Sequence, residues 1–363
     1  MIKARRISIG VVGAGYITNL VHLPTLSRLP EANVVAICDQ DLEKARAAAQ
    51  RSGIPRVYSS LEEMLSRERP DLVDVCVPPH RHKDVLITAL EHGVNCLMEE
   101  PLSVTTADAD TIIALAQEKG VSLHVIHNFS VLPGILKAKA LIGKGGIGQV
   151  TGVDIKYLAP LEPAYLDPNH WVHGLSGGYF SECGTHLTML LVEFLGEFHE
   201  VRAMASKASD HPQIRMDELR IVARCGAALG TITCSLNCPS RLLPVDIFGT
   251  KGALYVNGDY QAVVRYGPLG SAQDTFARGR RGVRDVVTRA VALGRTAASV
   301  LGGRYAAQNH GHYYLIPRSL RALQGKGSYP IDIHDAREAV RLLEMALEQI
   351  QNPRPTKVKA ENG

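Results

Sequence analysis

Over its first third the chain alternates short apolar runs with amphipathic stretches. Residues 6–12, Val34-Val35-Ala36-Ile37-Cys38, Leu72-Val73-Asp74-Val75-Cys76-Val77, Val94-Asn95-Cys96-Leu97-Met98 and Val121-Ser122-Leu123-His124-Val125-Ile126 read as strands covered on both faces. Between them, 41–51, 60–67, 82–92 and 105–119 carry helical spacing, and Gly93 and Gly120 stand where two of these helices should stop. Repeated βα units predict a Rossmann-type, doubly wound parallel sheet over 1–128, with ligands beyond the carboxyl ends of its strands.

After residue 128 the rhythm changes. A helix from Pro133 to Ile142 leads through glycines to a strand at 149–157, then to a Pro- and aromatic-rich loop, 158–175. Helix 179–195 follows the Gly177-Gly178 turn. Segments 200–207, 217–225, 228–236, 243–249 and 252–256 then alternate: Leu219, Ile221 and Ala223 face one way, Arg220, Val222 and Arg224 the other. Tight turns between them predict an open, mostly antiparallel sheet. Residues 129–363 are thus expected to form an α+β substrate and oligomerisation domain. Its later zone, 268–309, sets Arg278, Arg280, Arg281, Arg284, Arg289, Arg295 and Arg304 among small and apolar residues. A helix packed over the sheet, a subunit contact, or a helix binding phosphate or membrane would each carry that pattern. The last predicted helix is 335–350.

Candidate chemistry starts at the first turn. Gly13-Ala14-Gly15-Tyr16-Ile17-Thr18 lets backbone N–H groups approach a pyrophosphate, although Thr18 stands where the third glycine of the fingerprint would be. Asp39 ends the second strand at the distance of a ribose-binding acid. A glycine turn in an unrelated α/β domain, with Asp39 capping the next helix, would look the same locally. The composition is that of an ordinary soluble protein, and 40 basic residues against 36 acidic ones leave +4, too little to argue for nucleic acid. Seven scattered cysteines contain no CxxC, so a reducing cytoplasm is expected. No apolar run reaches the length of a membrane span.

Taken in order, these segments resemble the glucose–fructose oxidoreductase/inositol dehydrogenase (Gfo/Idh/MocA) family over nearly the whole chain. The resemblance rests on Gly13-Ala14-Gly15 with His22-Leu23-Pro24, Val77-Pro78-Pro79-His80-Arg81-His82, Met98-Glu99-Glu100-Pro101, His127-Asn128, and Gly177, Gly178, Gly184 and His186. Gly249-Thr250-Lys251-Gly252-Ala253-Leu254 adds a hairpin typical of the family. It implies NAD(P), of which Asp39 favours NAD over NADP, and oxidation or reduction of a sugar, cyclitol or related small molecule. It also implies a homodimer or homotetramer built through the C-terminal sheet. Gly13, Gly15, Tyr16, Ile17 and Asp39 would hold the adenosine and pyrophosphate end. Pro78, Pro79, His82, Glu99 and Asn128 would line the nicotinamide side. Where the family carries a catalytic lysine this chain has Glu100, and the acid before His186, usually Asp, is Glu182.

His186 is the expected acid/base, with Glu182 one helical turn earlier fixing its tautomer and Glu100 as a third candidate. A helix-capping Glu and a packed His would show the same spacing. Glu100 cannot supply a cation; it could accept a proton or hold an amine or iminium substrate. Tyr157, His170, Trp171 and His173 are candidates for a sugar-binding mouth. His170 and His173 with Glu182 and His186 could alternatively ligate a metal, but they lie on different elements and no metal is expected. Three readings follow: an NAD-dependent oxidoreductase, a redox-neutral enzyme with tightly held NAD, and a non-catalytic dinucleotide-binding protein.

Overall fold

The computed structural model describes residues 5–267, 275–301 and 311–352. Strands β1 (Ile7–Val12), β2 (Ala32–Cys38), β3 (Arg56–Tyr58), β4 (Leu72–Val75), β5 (Asn95–Glu99) and β6 (Leu123–Ile126) form one parallel sheet in the order β3-β2-β1-β4-β5-β6. The order reverses between β1 and β4, which is where an open α/β sheet leaves a crevice. Helices α1 (Leu23–Leu26), α2 (Leu42–Ser52), α3 (Leu61–Glu68), α4 (His82–Glu91) and α5 (Thr106–Lys119) make the crossovers. Asp41, Ser60 and Thr105 cap α2, α3 and α5 by accepting from Lys44, Glu63 and Asp108 N–H groups. The apolar pattern missed β3, because one Val between Arg56 and Tyr58 is too little to register. A wide, π-type turn at Thr18–His22 precedes α1 in place of a regular helical start, and it turns His22 inward, fully buried.

The second unit begins with α6 (Pro133–Gly143), β7 (Val150–Pro160) and α7 (Tyr179–Leu195). Strands β8 (Glu200–Ser206), β9 (Glu218–Cys225), β10 (Ala228–Ser235), β11 (Asn237–Leu242), β12 (Pro244–Gly249), β13 (Gly252–Asn257) and β14 (Ala262–Tyr266) complete it. The order is β14-β13-β12-β7-β10-β9-β8, with β11 beside β7. All pairs are antiparallel except β7 with β10. As the alternation predicts, Leu219, Ile221 and Ala223 are buried while Arg220, Val222 and Arg224 are exposed. Helices α8 (Thr275–Leu301), α9 (His312–Leu323) and α10 (Ile333–Gln351) follow. On α8, Arg289 lies over the Tyr255 ring and Val283 and Val286 are exposed. Arg304 lies outside the described residues, as do the side chains of Arg278, Arg280, Arg281, Arg284 and Arg295.

The chain then returns to its first sheet. Leu315, Ile316 and Leu320 of α9 are fully buried, α9 packing on β6 and α1. Helix α10 packs on α7 and β8 through Ala339, Leu342 and Ala346, and on the first domain through Ala336 and Val340. This clamps the two sheets around one cleft. The glycines at the start of α7 belong to the same packing: a Cβ on Gly184 would lie 2.9 Å from the Leu343 side chain. That close approach sets the rotation of α7, and hence the direction of His186.

Candidate active site

At the carboxyl ends of β1, β2 and β4 lies a cleft of about 470 Å³. Gly13, Gly15, Asp39, Pro78 and Trp171 line it. Gly13 has φ +97°, and a Cβ there would meet the Cys76 carbonyl oxygen at 2.3 Å, so only glycine fits. Gly15 has nothing within 4 Å of its Cβ position, which leaves its backbone open to a ligand. Asp39 accepts from Ala14 N–H at 2.7 Å and Asp41 N–H at 2.8 Å, bracing the glycine turn while facing the cleft. The open glycine backbone, the acid at the end of β2 and the room between them fit a dinucleotide. Tyr16 is 80% exposed and Ile17 half-buried, and neither lines the cleft. Trp171 reaches the cleft from the loop after β7 and sits 6.4 Å from the His80 ring, so the second domain covers the first domain's crevice there.

Beneath the cleft runs a buried polar chain. His22 Nδ1 donates to Asp74 at 2.8 Å, and its Nε2 bonds Glu99. His312 Nε2 lies 2.8 Å from the same Glu99 oxygen, and its Nδ1 3.4 Å from Asn128 Nδ2. The Cys76 thiol is 3.3 Å from His22 Nδ1. Burial opposes charge on His22, but Asp74 outweighs it and raises the ring's pKa; the two histidines likewise overcome burial and depress Glu99. Two groupings here have the separation of metal ligands, His22/Asp74/Cys76 and His22/Glu99/His312. Their hydrogen bonds already satisfy them as a protein network.

The next residue does something different. Glu100 Oε1 lies 3.0 Å from His186 Nε2, and Thr185 donates to Oε2 at 2.6 Å. Phe129 stacks on the His186 ring at 4.4 Å. His186 Nδ1 is buried and has no partner among the described residues. Burial disfavours its charge, yet the Glu100 charge and hydrogen bond outweigh burial and raise its pKa. Glu182, expected to orient His186, instead accepts from Tyr165 OH at 3.1 Å. Burial, then the Glu100 charge, pushes its carboxyl up to about 7.

Other expected residues also fall elsewhere. His82 does not line the cleft: it is fully buried, its ring nitrogens 2.6 Å from the Pro101 carbonyl and 2.8 Å from that of Val77. It ties the loops after β4 and β5 together. Pro78 lines the cleft whereas Pro79 is buried behind it. Tyr157 is not at a mouth but 4% exposed beneath Phe129, because its position on β7 faces the core. His170 and His173 hold their own loop, through Val172 N–H and the Asp167 carbonyl, and do not meet His186. Asn128 sits at the site with its Oδ1 unpartnered among the described residues. Sequence reasoning gave His22, Asp74, Thr185 and Phe129 no role in a site. Asp74 carried a signal, as a lone acid in a strand covered on both faces; Thr185 and Phe129 carried none.

Both domains have counterparts in known proteins. Residues 7–127 match the model of an oxidoreductase family with an NAD-binding Rossmann fold, and 135–255 match the GFO/IDH/MocA C-terminal domain. D-apiose dehydrogenase of Paraburkholderia graminis is 33% identical over 268 residues, covering 71% of this chain and 69% of that one. Trans-1,2-dihydrobenzene-1,2-diol dehydrogenase of Xenopus tropicalis is 27% identical over 253 residues, 69% and 75% of the two chains. Among solved structures, the WlbA dehydrogenase from Bordetella pertussis, in complex with NADH and UDP-GlcNAcA, superposes with a TM-score of 0.79 at 21% identity. It covers 98% of this chain and 100% of its own, a likeness of fold. No helix among the described residues is long and apolar enough to cross a membrane. With both domains matched in order, the chain belongs to the GFO/IDH/MocA family of oxidoreductases.

Proposed function

We propose that this protein is an NAD-dependent dehydrogenase of an uncharged sugar or polyol, with the Glu100–His186 dyad handling the proton. The observation that carries this reading is the split state of the His186 ring, Nε2 on Glu100 at 3.0 Å and Nδ1 buried without a partner. A carboxylate on Nε2–H fixes the tautomer that leaves a lone pair on Nδ1. In oxidation the substrate hydroxyl proton passes to Nδ1, and the imidazolium so formed is held by Glu100. In reduction the same proton returns to the product oxygen. A bound nicotinamide would supply the hydride acceptor for oxidation and the hydride donor for reduction. Glu100 thus acts as the orienting carboxylate, the part expected of Glu182.

Both Glu100 oxygens are engaged, by His186 and Thr185, which disfavours its use as a pocket for an amine or iminium ion. The name of the D-apiose relative supports a neutral sugar as substrate. For the cofactor, an acid at Asp39 in the cleft favours NAD(H), because a 2′-phosphate would meet its charge. Titration of both cofactors checks this, and equal or tighter NADP(H) binding would overturn it. Self-association as a dimer or tetramer is supported by the outer face of the second sheet. There Met204 (78%), Val222, Leu229 and Phe248 stand exposed, and sedimentation reads the outcome. Seven free cysteines suit a reducing cytoplasm. The reading as a whole is tested by nicotinamide absorbance against D-apiose, other neutral sugars and cyclitols. A folded, NAD-binding protein that turns over none of them counts against it.

A further inference from the structure

Glu99 of β5 stands in register with Ile126 of β6, so the residues that follow, Glu100 and His127, emerge side by side at the sheet's carboxyl edge. His127 is 1% exposed, and neither ring nitrogen has a partner among the described residues. Its charged neighbours are Glu100, His186 and Glu99. Beside it are two further orphaned atoms, His186 Nδ1 and Asn128 Oδ1. The other fully buried histidines among the described residues, His22, His82 and His312, each have both nitrogens engaged. A buried donor or acceptor without a partner costs about 1–3 kcal/mol, so a histidine kept for packing would be tied like these three.

We infer that His127 is a catalytic residue of this oxidoreductase, donating a hydrogen bond to the reacting oxygen of the sugar while His186 Nδ1 exchanges that oxygen's proton. The inference rests on the sugar dehydrogenase reading above. Hydride transfer at a C–OH carbon builds negative charge on oxygen and needs an N–H or a cation facing it. Glu100 has neither, and His186 Nε2 is committed to Glu100. His127 supplies the missing donor from the neighbouring strand. Burial pulls its pKa down to about 4, so at neutral pH the ring offers one N–H and one lone pair and carries no charge. His127 gains and loses no proton over the cycle. A neutral ring beside Glu100 and Glu99 suits an uncharged hydroxyl or carbonyl carbon and disfavours a carboxylate at that position.

The test uses the full-length protein with His127→Ala, His127→Asn and His127→Gln, D-apiose and other neutral pentoses and hexoses. The lone tryptophan, Trp171, lines the cofactor cleft and reports binding by fluorescence. Expected for His127→Ala are a kcat lower by roughly a hundredfold and sugar binding to the NADH complex weaker by roughly tenfold, with NADH affinity unchanged. Imidazole in the buffer should restore part of the lost rate, and one of the two amides, which keep an N–H, should exceed Ala by roughly tenfold. A His127→Ala enzyme within about threefold of wild-type kcat overturns the inference alone. So does a loss that neither imidazole nor either amide relieves, since that is the behaviour of a packing residue. Should the Ala variant not fold, the amides carry the comparison, and two inactive amides count against a donor role. A wild-type protein that binds NADH but neither binds nor converts any sugar overturns the sugar reading and this inference with it.

Discussion

Glu99 and Glu100 are consecutive, largely buried carboxylates, each bonded to a histidine, yet they end in opposite situations. Glu99 lies between His22 and His312, with Asp74 behind one and Asn128 beside the other. Around Glu100, His186 and His127 keep three ring nitrogens without partners among the described residues. A carboxylate–histidine pair is therefore not a site by itself. What separates scaffold from site is whether the second nitrogen of each ring is already used. The closed network holds the floor of the cleft, and the open one has polar capacity left for a substrate.

The largest expected effect falls on the open pair. His186→Ala or His186→Asn should slow turnover by roughly two to four orders of magnitude, with NAD(H) affinity little changed. A full-speed variant in the absorbance assay would remove His186 from the mechanism. Glu100→Gln comes next, since an amide can bond either tautomer and no longer favours the one with Nδ1 free. A loss of roughly ten- to a hundredfold in kcat is expected, with a fall in the histidine pKa read from the pH–rate profile. The sign follows from geometry. Glu100 raises the pKa of His186, so removing its charge moves the basic limb of the reductive direction to lower pH. An unshifted profile would break the assignment of Glu100 as the orienting carboxylate.

The closed network should answer in stability instead. Asp74→Asn removes one of the two carboxylates on His22, and breaking a buried pair of this kind costs about 3–5 kcal/mol. His22 has a raised folded pKa, so its contribution is complete below an unfolded value near 6.5 and is lost as pH rises through the folded value. The gap between wild type and variant in chemical denaturation should thus be widest in mild acid. Turnover of the folded fraction should stay within a few-fold. A variant that is stable yet inactive would place Asp74 in the chemistry and end the contrast.

Much of the frame was legible in the sequence because burial dictates it. Strands β1, β2, β4, β5 and β6 are apolar since both their faces are covered, and the alternation at 219–224 follows from one covered face. Gly13 and Asp39 could be picked out because local spacing carried them, and Glu100 and His186 because they fall in segments that resemble the family's motifs. The partners could not. Thr185 reaches Glu100 and Tyr165 reaches Glu182 only through the orientation of α7 and the loop before it, which depend on how closely α10 approaches Gly184. Glu182 and His186 share a helical turn, yet it is Glu100, eighty-six residues before His186, that takes the ring. Spacing along one helix shows which side chains can meet. Which of several carboxylates wins is decided by strand ends from elsewhere in the chain.

Glu182 gives the smallest effect and the most selective check. It is the third carboxylate of the site, tied to a neutral phenol at 3.1 Å rather than to a histidine. Burial, and then the Glu100 charge, hold its pKa at about 7, against an ordinary value of 4.5. The folded state therefore binds more protons than the unfolded one between these values, and stability falls as pH rises through that window. Above about pH 7 the full cost of the charged, half-buried carboxylate is present, on the order of 1–3 kcal/mol. Glu182→Gln can still accept from Tyr165 without the charge. The variant should be more stable than wild type above pH 7, and the two should converge below about pH 5. Its kcat should stay within about threefold of wild type, because Glu100 and not Glu182 bonds the His186 ring. Loss of activity comparable to that of Glu100→Gln would return the orienting role to Glu182, and equal stability at every pH would show that its carboxyl is not held protonated by the fold.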